Sequence, residues 1–160
     1  MKLSLINKID HYWISILFGF MPLIVFVLLI KDSASFDNSR LFLIMLFCFP
    51  ISLVTFFLQK NKLKIKSVET NLSNQEMVKK IENLAIELNW ELTYKKRNYF
   101  LYVTNPKFTS GSWGEQITIF TNEKNVYVNS ICDLNKRTSI VSMGRNHKNE
   151  QAIIKSFSIS

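Results

Sequence analysis

Two stretches of the chain contain no Asp, Glu, Lys, Arg or His: Trp13–Ile30, reading WISILFGFMPLIVFVLLI, and Leu41–Leu58, reading LFLIMLFCFPISLVTFFL. Each is 18 residues long. As an α-helix that is about 27 Å, close to the ~30 Å hydrocarbon thickness of a bilayer. A soluble domain can bury one such helix. Two of equal length would need a core larger than the remaining residues can build, so the pattern predicts a transmembrane hairpin with spans 13–30 and 41–58. A cleaved signal peptide ending near Ser33-Ala34-Ser35 fits less well. Its apolar core would exceed the usual length of about 7–15 residues, and Lys31-Asp32 interrupts the approach to the site.

The pattern changes after residue 59. LKIKSVE (63–69) alternates and suits a first strand, or a basic extension of the second apolar helix. Ser73 and Glu76 have the spacing of a capping box, and Met77, Ile81, Leu84, Ala85 and Leu88 mark one face of a helix over 74–88. Trp90, Leu92 and Tyr94 then alternate with Glu91 and Thr93, and KKRN leads into YFLYVT (99–104), the signature of a hairpin. NPKFTSGSWG (105–114) reads as a loop. EQITIFT and NVYVNSI read as two more strands, 139–143 as a possible further one, and 146–156 as a closing helix after Gly144. The expected fold class is therefore a membrane protein in two parts. Residues 1–59 form an N-terminal segment and α-helical transmembrane hairpin; residues 60–160 form a small α+β domain with a mainly antiparallel sheet, in the order β-α-β-β-β-β-α.

Charge adds an orientation. The chain carries +8 overall, and residues 60–160 hold 16 basic and 9 acidic groups. Lys2 and Lys8 flank the first span. Lys60, Lys62, Lys64 and Lys66 follow the second, against Lys31 and Arg40 in the connector, so basic residues near the spans divide six to two. Positive residues favour the cytoplasmic side, which places both termini there, with His11, Tyr12 and Trp13 at the interface. The expected location is a multi-pass protein of a bacterial cytoplasmic (inner) membrane. The four lysines after the second span are suited to anionic lipid. Nucleic acid is a less suitable partner for the same charge.

Within the spans, Ser15 and Gly19 lie at depths near Thr55 and Ser52. Small residues allow close helix approach and hydroxyls bond across the contact, so these four are the expected packing positions, within one chain or in a homo-oligomer. Pro22 and Pro50 both fall near mid-span. No charged residue lies inside either span, which favours an anchor over an ion path.

Chemistry-bearing motifs are sparse. Cys48 and Cys132 lie in different parts of the chain, and with two His they make no zinc pattern. No metal or cofactor is expected. Cys132, Asp133 and His147 are the residue types of a thiol hydrolase, but spacing gives them no common geometry. Glu115, Glu123 and Asp133 offer only the carboxylate pairs that any sequence offers. Tyr99, Phe100 and Tyr102 beside Lys95, Lys96 and Arg97 have a little of a base-stacking platform. The preferred ligand-binding residues are Trp113 in the Gly111–Gly114 loop, and Arg145 with Asn146, where a helix start and a fixed cation suit an anion. The functional expectation is a non-enzymatic, membrane-anchored module that binds a protein partner or anionic ligand at the cytoplasmic face. A tethered enzyme and an oligomeric pore or transport subunit are the alternatives.

Overall fold

The computed structural model describes residues 4–31, 38–105, 113–136, 142 and 144–158. The chain divides into two compact units, residues 2–61 and residues 62–160.

The first unit is a pair of long helices, α1 (Leu5–Lys31) and α2 (Asn38–Lys62). Both extend past the apolar runs, because LINKIDHY before the first and QKNK after the second contain nothing that breaks a helix. Pro22 and Pro50 sit inside the helices without ending them. The helices run antiparallel: His11 meets Gln59, Ser15 meets both Gln59 and Thr55, and Gly19 lies beside Ser52. Leu5–Val27 and Phe42–Lys62 are long and apolar enough to cross a membrane.

In the second unit the chain order is β1 (Lys66–Glu69), α3 (Asn74–Glu87), β2 (Glu91–Lys96), β3 (Tyr99–Val103), β4 (Glu115–Asn122), β5 (Asn125–Cys132) and α4 (Arg145–Ser158). The strands form one antiparallel sheet whose spatial order, β1-β5-β4-β3-β2, departs from their order along the chain. The chain starts at one edge, crosses to the other through α3, then returns by three successive hairpins until β5 closes against β1. The possible strand at 139–143 lies outside the described residues.

Local chemistry accounts for most of these elements. The Ser73–Glu76 capping box forms in full: Ser73 Oγ accepts from the Glu76 amide at 3.4 Å and the Glu76 carboxylate accepts from the Ser73 amide at 2.8 Å. The β2–β3 hairpin turns on Arg97-Asn98 alone, with Arg97 at φ 49°, so Lys95 and Lys96 belong to the strand. The simple alternation expected of β2 fails at Thr93. A register shift between Leu92 and Tyr94 pairs Leu92 with Tyr102 but Tyr94 with Leu101, on opposite faces. A bulge of this kind adds one unpaired residue and reverses every later side chain.

The core lies between one sheet face and the two helices. Met77, Ile81 and Ala85 of α3 and Ile153 and Phe157 of α4 close over Phe100, Tyr102, Ile117, Ile119, Val126 and Val128. Each large side chain buried there stabilises the fold by about 1.5–3 kcal/mol. Phe100 and Tyr102 belong to this core, so they are not an exposed stacking platform. Lys95 instead lies over the Phe100 ring at 5.4 Å and pairs with Glu82 at 2.6 Å.

A cationic cleft beside the start of α4

The centre of the site is a buried carboxylate. Glu115 opens β4, is fully buried, and accepts hydrogen bonds from the Thr104 hydroxyl and from Arg145 Nε, which lies 3.2 Å from both carboxylate oxygens. The Glu115 amide donates back to Thr104 Oγ1 at 2.8 Å, and the Thr104 amide to the Glu115 carbonyl at 2.8 Å. This reciprocal clamp joins the end of β3 to the start of β4. Gly114 fits beside it only as glycine: φ is 133°, and an added Cβ would stand 2.7 Å from the Thr104 carbonyl oxygen. Lys136 Nζ caps the same carbonyl at 3.2 Å and reaches Asn105 Oδ1 at 3.0 Å.

A burial of this kind is strongly unfavourable for a lone carboxylate and tolerable for a paired one. Glu115 therefore fixes Arg145, and Arg145 in turn stands in the wall of an open cleft of about 430 Å³. Leu88, Asn89, Trp90, Thr104, Asn105, Lys148 and Asn149 complete the lining. Among the described lining residues there are two cations and three side-chain amides, and no carboxylate. The combination suits a ligand with negative charge and several acceptors.

In the first turn of α4, where the sequence offers backbone donors, the Arg145 and Asn146 amides already have a partner in Ser142. Ser142 caps it: its carbonyl accepts from the Arg145 amide at 2.9 Å and its hydroxyl lies 3.4 Å from the Asn146 amide. The Lys148 amide bonds to the Gly144 carbonyl at 3.0 Å. The charged groups in the cleft wall are the side chains of Arg145 and Lys148. Asn146 turns inward, where Oδ1 accepts from the Ser130 hydroxyl at 3.1 Å and Nδ2 lies 3.9 Å from Cys132 Sγ. Trp113, 40 % exposed, lies outside the cleft wall. The rest of its loop, 106–112, lies outside the described residues. Of the three expected ligand contacts, only Arg145 lines the cleft.

Two further residues complete the β5 edge and have no signal in the sequence: Glu150 ties α4 to it, and Asn129 ties down the segment before β1. Beyond Val128, β5 has no β1 partner, because β1 begins at Lys66. Glu150 fills the gap, accepting from the Ser130 amide at 3.0 Å and pairing with Lys66 at 2.7 Å. Asn129 does a similar service, donating to the carbonyls of Lys62 and Lys64 at 2.8 and 3.0 Å. In sequence Glu150 looks like any solvated helix charge. Lys66 is thus engaged inside the domain, while Lys60 and Lys64 are exposed.

Among the described residues, no hydrogen bond joins the members of the hydrolase-type set to one another. Cys132 faces Asn146, Asp133 accepts from the Asn135 amide at 3.0 Å, and His147 Nδ1 lies 3.4 Å from Lys66 Nζ. Glu123 is exposed in the β4–β5 turn. No group of three metal-ligating side chains occurs among the described residues.

In the helical unit, Ser15, Gly19, Ser52 and Thr55 lie together. The Ser15 hydroxyl is 3.0 Å from Thr55 Oγ1, Ser52 donates to the Ser15 carbonyl at 2.8 Å, and an added Cβ on Gly19 would stand 3.1 Å from Ser52 Oγ. The seam continues through Gln59, only 2 % exposed, whose Oε1 accepts from Ser15 at 2.6 Å and whose carbonyl lies 2.9 Å from His11 Nε2. Gln59 escapes a hydropathy reading because it falls one residue past the apolar run.

No family model, no curated protein sequence and no solved structure matches the chain. What defines its class is its own fold and chemistry: an α+β domain joined to two helices long and apolar enough to cross a membrane.

Proposed function

We propose that this chain is a membrane-anchored binding module. In this reading α1 and α2 cross a bacterial cytoplasmic membrane with both termini inside, and the α+β domain offers its cleft to an anionic ligand at the cytoplasmic face. The observation that carries the reading is the wall of that cleft, in which Arg145, held from behind by buried Glu115, stands with Lys148 and the amides of Asn89, Asn105 and Asn149. A guanidinium oriented before the ligand arrives loses less freedom on binding. The anchor is supported by low burial as well as length. Only 11 % and 6 % of the two apolar windows are buried, whereas a core helix of a soluble protein is buried through most of its length.

Arg145→Ala makes a poor probe, because it leaves the Glu115 carboxylate buried without its cation, at a cost of about 3 kcal/mol or more. Lys148 is exposed, so Lys148→Glu should leave stability within about 0.5 kcal/mol of the parent. The test titrates inorganic phosphate, pyrophosphate and a nucleoside triphosphate into the full chain in nanodiscs, by calorimetry. Saturable binding that weakens with salt and is lost in Lys148→Glu supports the site. Binding that Lys148→Glu leaves unchanged, or no binding of any of the three, removes it.

A further inference from the structure

The sheet face turned away from α3 and α4 is not the polar surface that an open antiparallel face normally presents. Its register runs Lys96–Tyr99–Phe120–Tyr127–Ser67 across five strands, so three aromatic residues stand side by side on β3, β4 and β5. The next row brings Tyr94 of β2 beside Leu101. The ring pairs are close: Phe120 and Tyr127 centroids are 5.8 Å apart, Tyr94 and Tyr99 6.0 Å. Tyr94 is 48 % and Phe120 45 % exposed. The bulge at Thr93 is what brings Tyr94 to this side. Glu69 and Glu91 are confined to the two edge strands. Exposed apolar patches of this sort mark interaction surfaces.

We propose that this aromatic face docks on the anionic surface of the bilayer that α2 crosses. The inference rests on the anchor reading given above. The segment that opens the domain is fastened to this same face, since Asn129, one position along β5 from Val128 and on the open side, holds the carbonyls of Lys62 and Lys64. Only three residues separate Lys62, the last residue of α2, from β1, and three extended residues reach no further than about 10–11 Å. A surface tethered so closely meets the bilayer at high effective concentration, while a soluble partner must offset the full loss of translational freedom. The chemistry also fits. Tyr side chains combine an apolar ring with a polar tip and collect at the headgroup level, and Lys60 and Lys64, exposed just before β1, favour anionic headgroups.

The test uses the full chain reconstituted in phosphatidylcholine vesicles, with and without phosphatidylserine, and carrying Phe120→Trp. Ile86→Trp, on an exposed position of α3, is the control. With anionic lipid present, brominated acyl chains should quench the additional emission of the Phe120→Trp chain, and unbrominated vesicles should shift it to the blue. The additional emission of the Ile86→Trp chain should do neither. Tyr127→Trp on the same row should repeat the first result and guards against a folding defect in the first variant. Emission from both sheet variants no more quenched than that of the control, in vesicles that retain the chain through an alkaline carbonate wash, overturns docking and leaves the anchor standing. Chain washed off by carbonate overturns the anchor, and docking with it. Crosslinking between copies through position 120 in place of quenching assigns the face to self-association and also overturns the proposal.

Discussion

Tyr102 shows how much a single atom in the core decides. Its ring lies near parallel to Phe100, with centroids 6.4 Å apart, and the residue is only 2 % exposed. Its hydroxyl is buried without a hydrogen-bond partner among the described residues. Burial, helped by the Glu82 carboxylate, pushes the phenol from 10.0 up to about 12. Below the unfolded value both states are protonated and stability is unaffected. Between the two values the unfolded chain ionises first, so stability should fall as pH rises from about 10 towards about 12. Tyr102→Phe keeps the ring packing and removes an unsatisfied hydroxyl, so it should stabilise the domain by about 1 kcal/mol and flatten that alkaline loss. Urea unfolding of parent and variant near neutrality and at about pH 11 measures both effects; an unchanged alkaline slope would contradict the assignment. Sequence alone shows Tyr102 as one of three aromatic residues in YFLYVT. It cannot say which of them enters the core, because that depends on where α3 and α4 settle.

Among the elements, the polar seam of the helix pair has the sharpest consequence. Gly19 opposes Ser52 closely, an added Cβ standing 3.1 Å from Ser52 Oγ, and Ser15, Thr55 and Gln59 exchange hydrogen bonds where the backbones approach. Gly19→Leu should force the helices apart. Tyr12 and Phe56, whose ring centroids are 5.2 Å apart, provide the readout. In a background lacking Cys48 and Cys132, cysteines at 12 and 56 should crosslink readily, and Gly19→Leu should abolish the crosslink. Retained crosslinking would show that the contact does not need glycine. The four seam positions Ser15, Gly19, Ser52 and Thr55 are legible in sequence from small residues at matched depths. His11 and Gln59 are not, because a hydropathy window treats them as flanks. In the domain, the capped helix α3 is legible for a local reason: the box is closed within four residues. The bulge in β2 is not, since it shows only in the pairing with β3.

At the scale of the molecule, the six-to-two division of basic residues makes topology the most direct prediction. Reporter fusions at residue 36 and residue 160 should report the outside and the inside respectively. An outside signal from residue 160 would reverse the proposed location of the cleft and of the aromatic face. Periodicity and local chemistry along the chain are enough to specify two apolar helices, an α+β domain after them, and the capped helix. These need only near neighbours in the chain. The spatial order of the strands, the pairing of Glu115 with Arg145 across 30 positions, the inward turn of Asn146 and the gathering of Tyr94, Tyr99, Phe120 and Tyr127 on one face emerge only when the chain has folded. Each depends on segments far apart in sequence meeting in a particular register. A shift of one residue along any strand would exchange the core and open faces, while its local composition would stay the same.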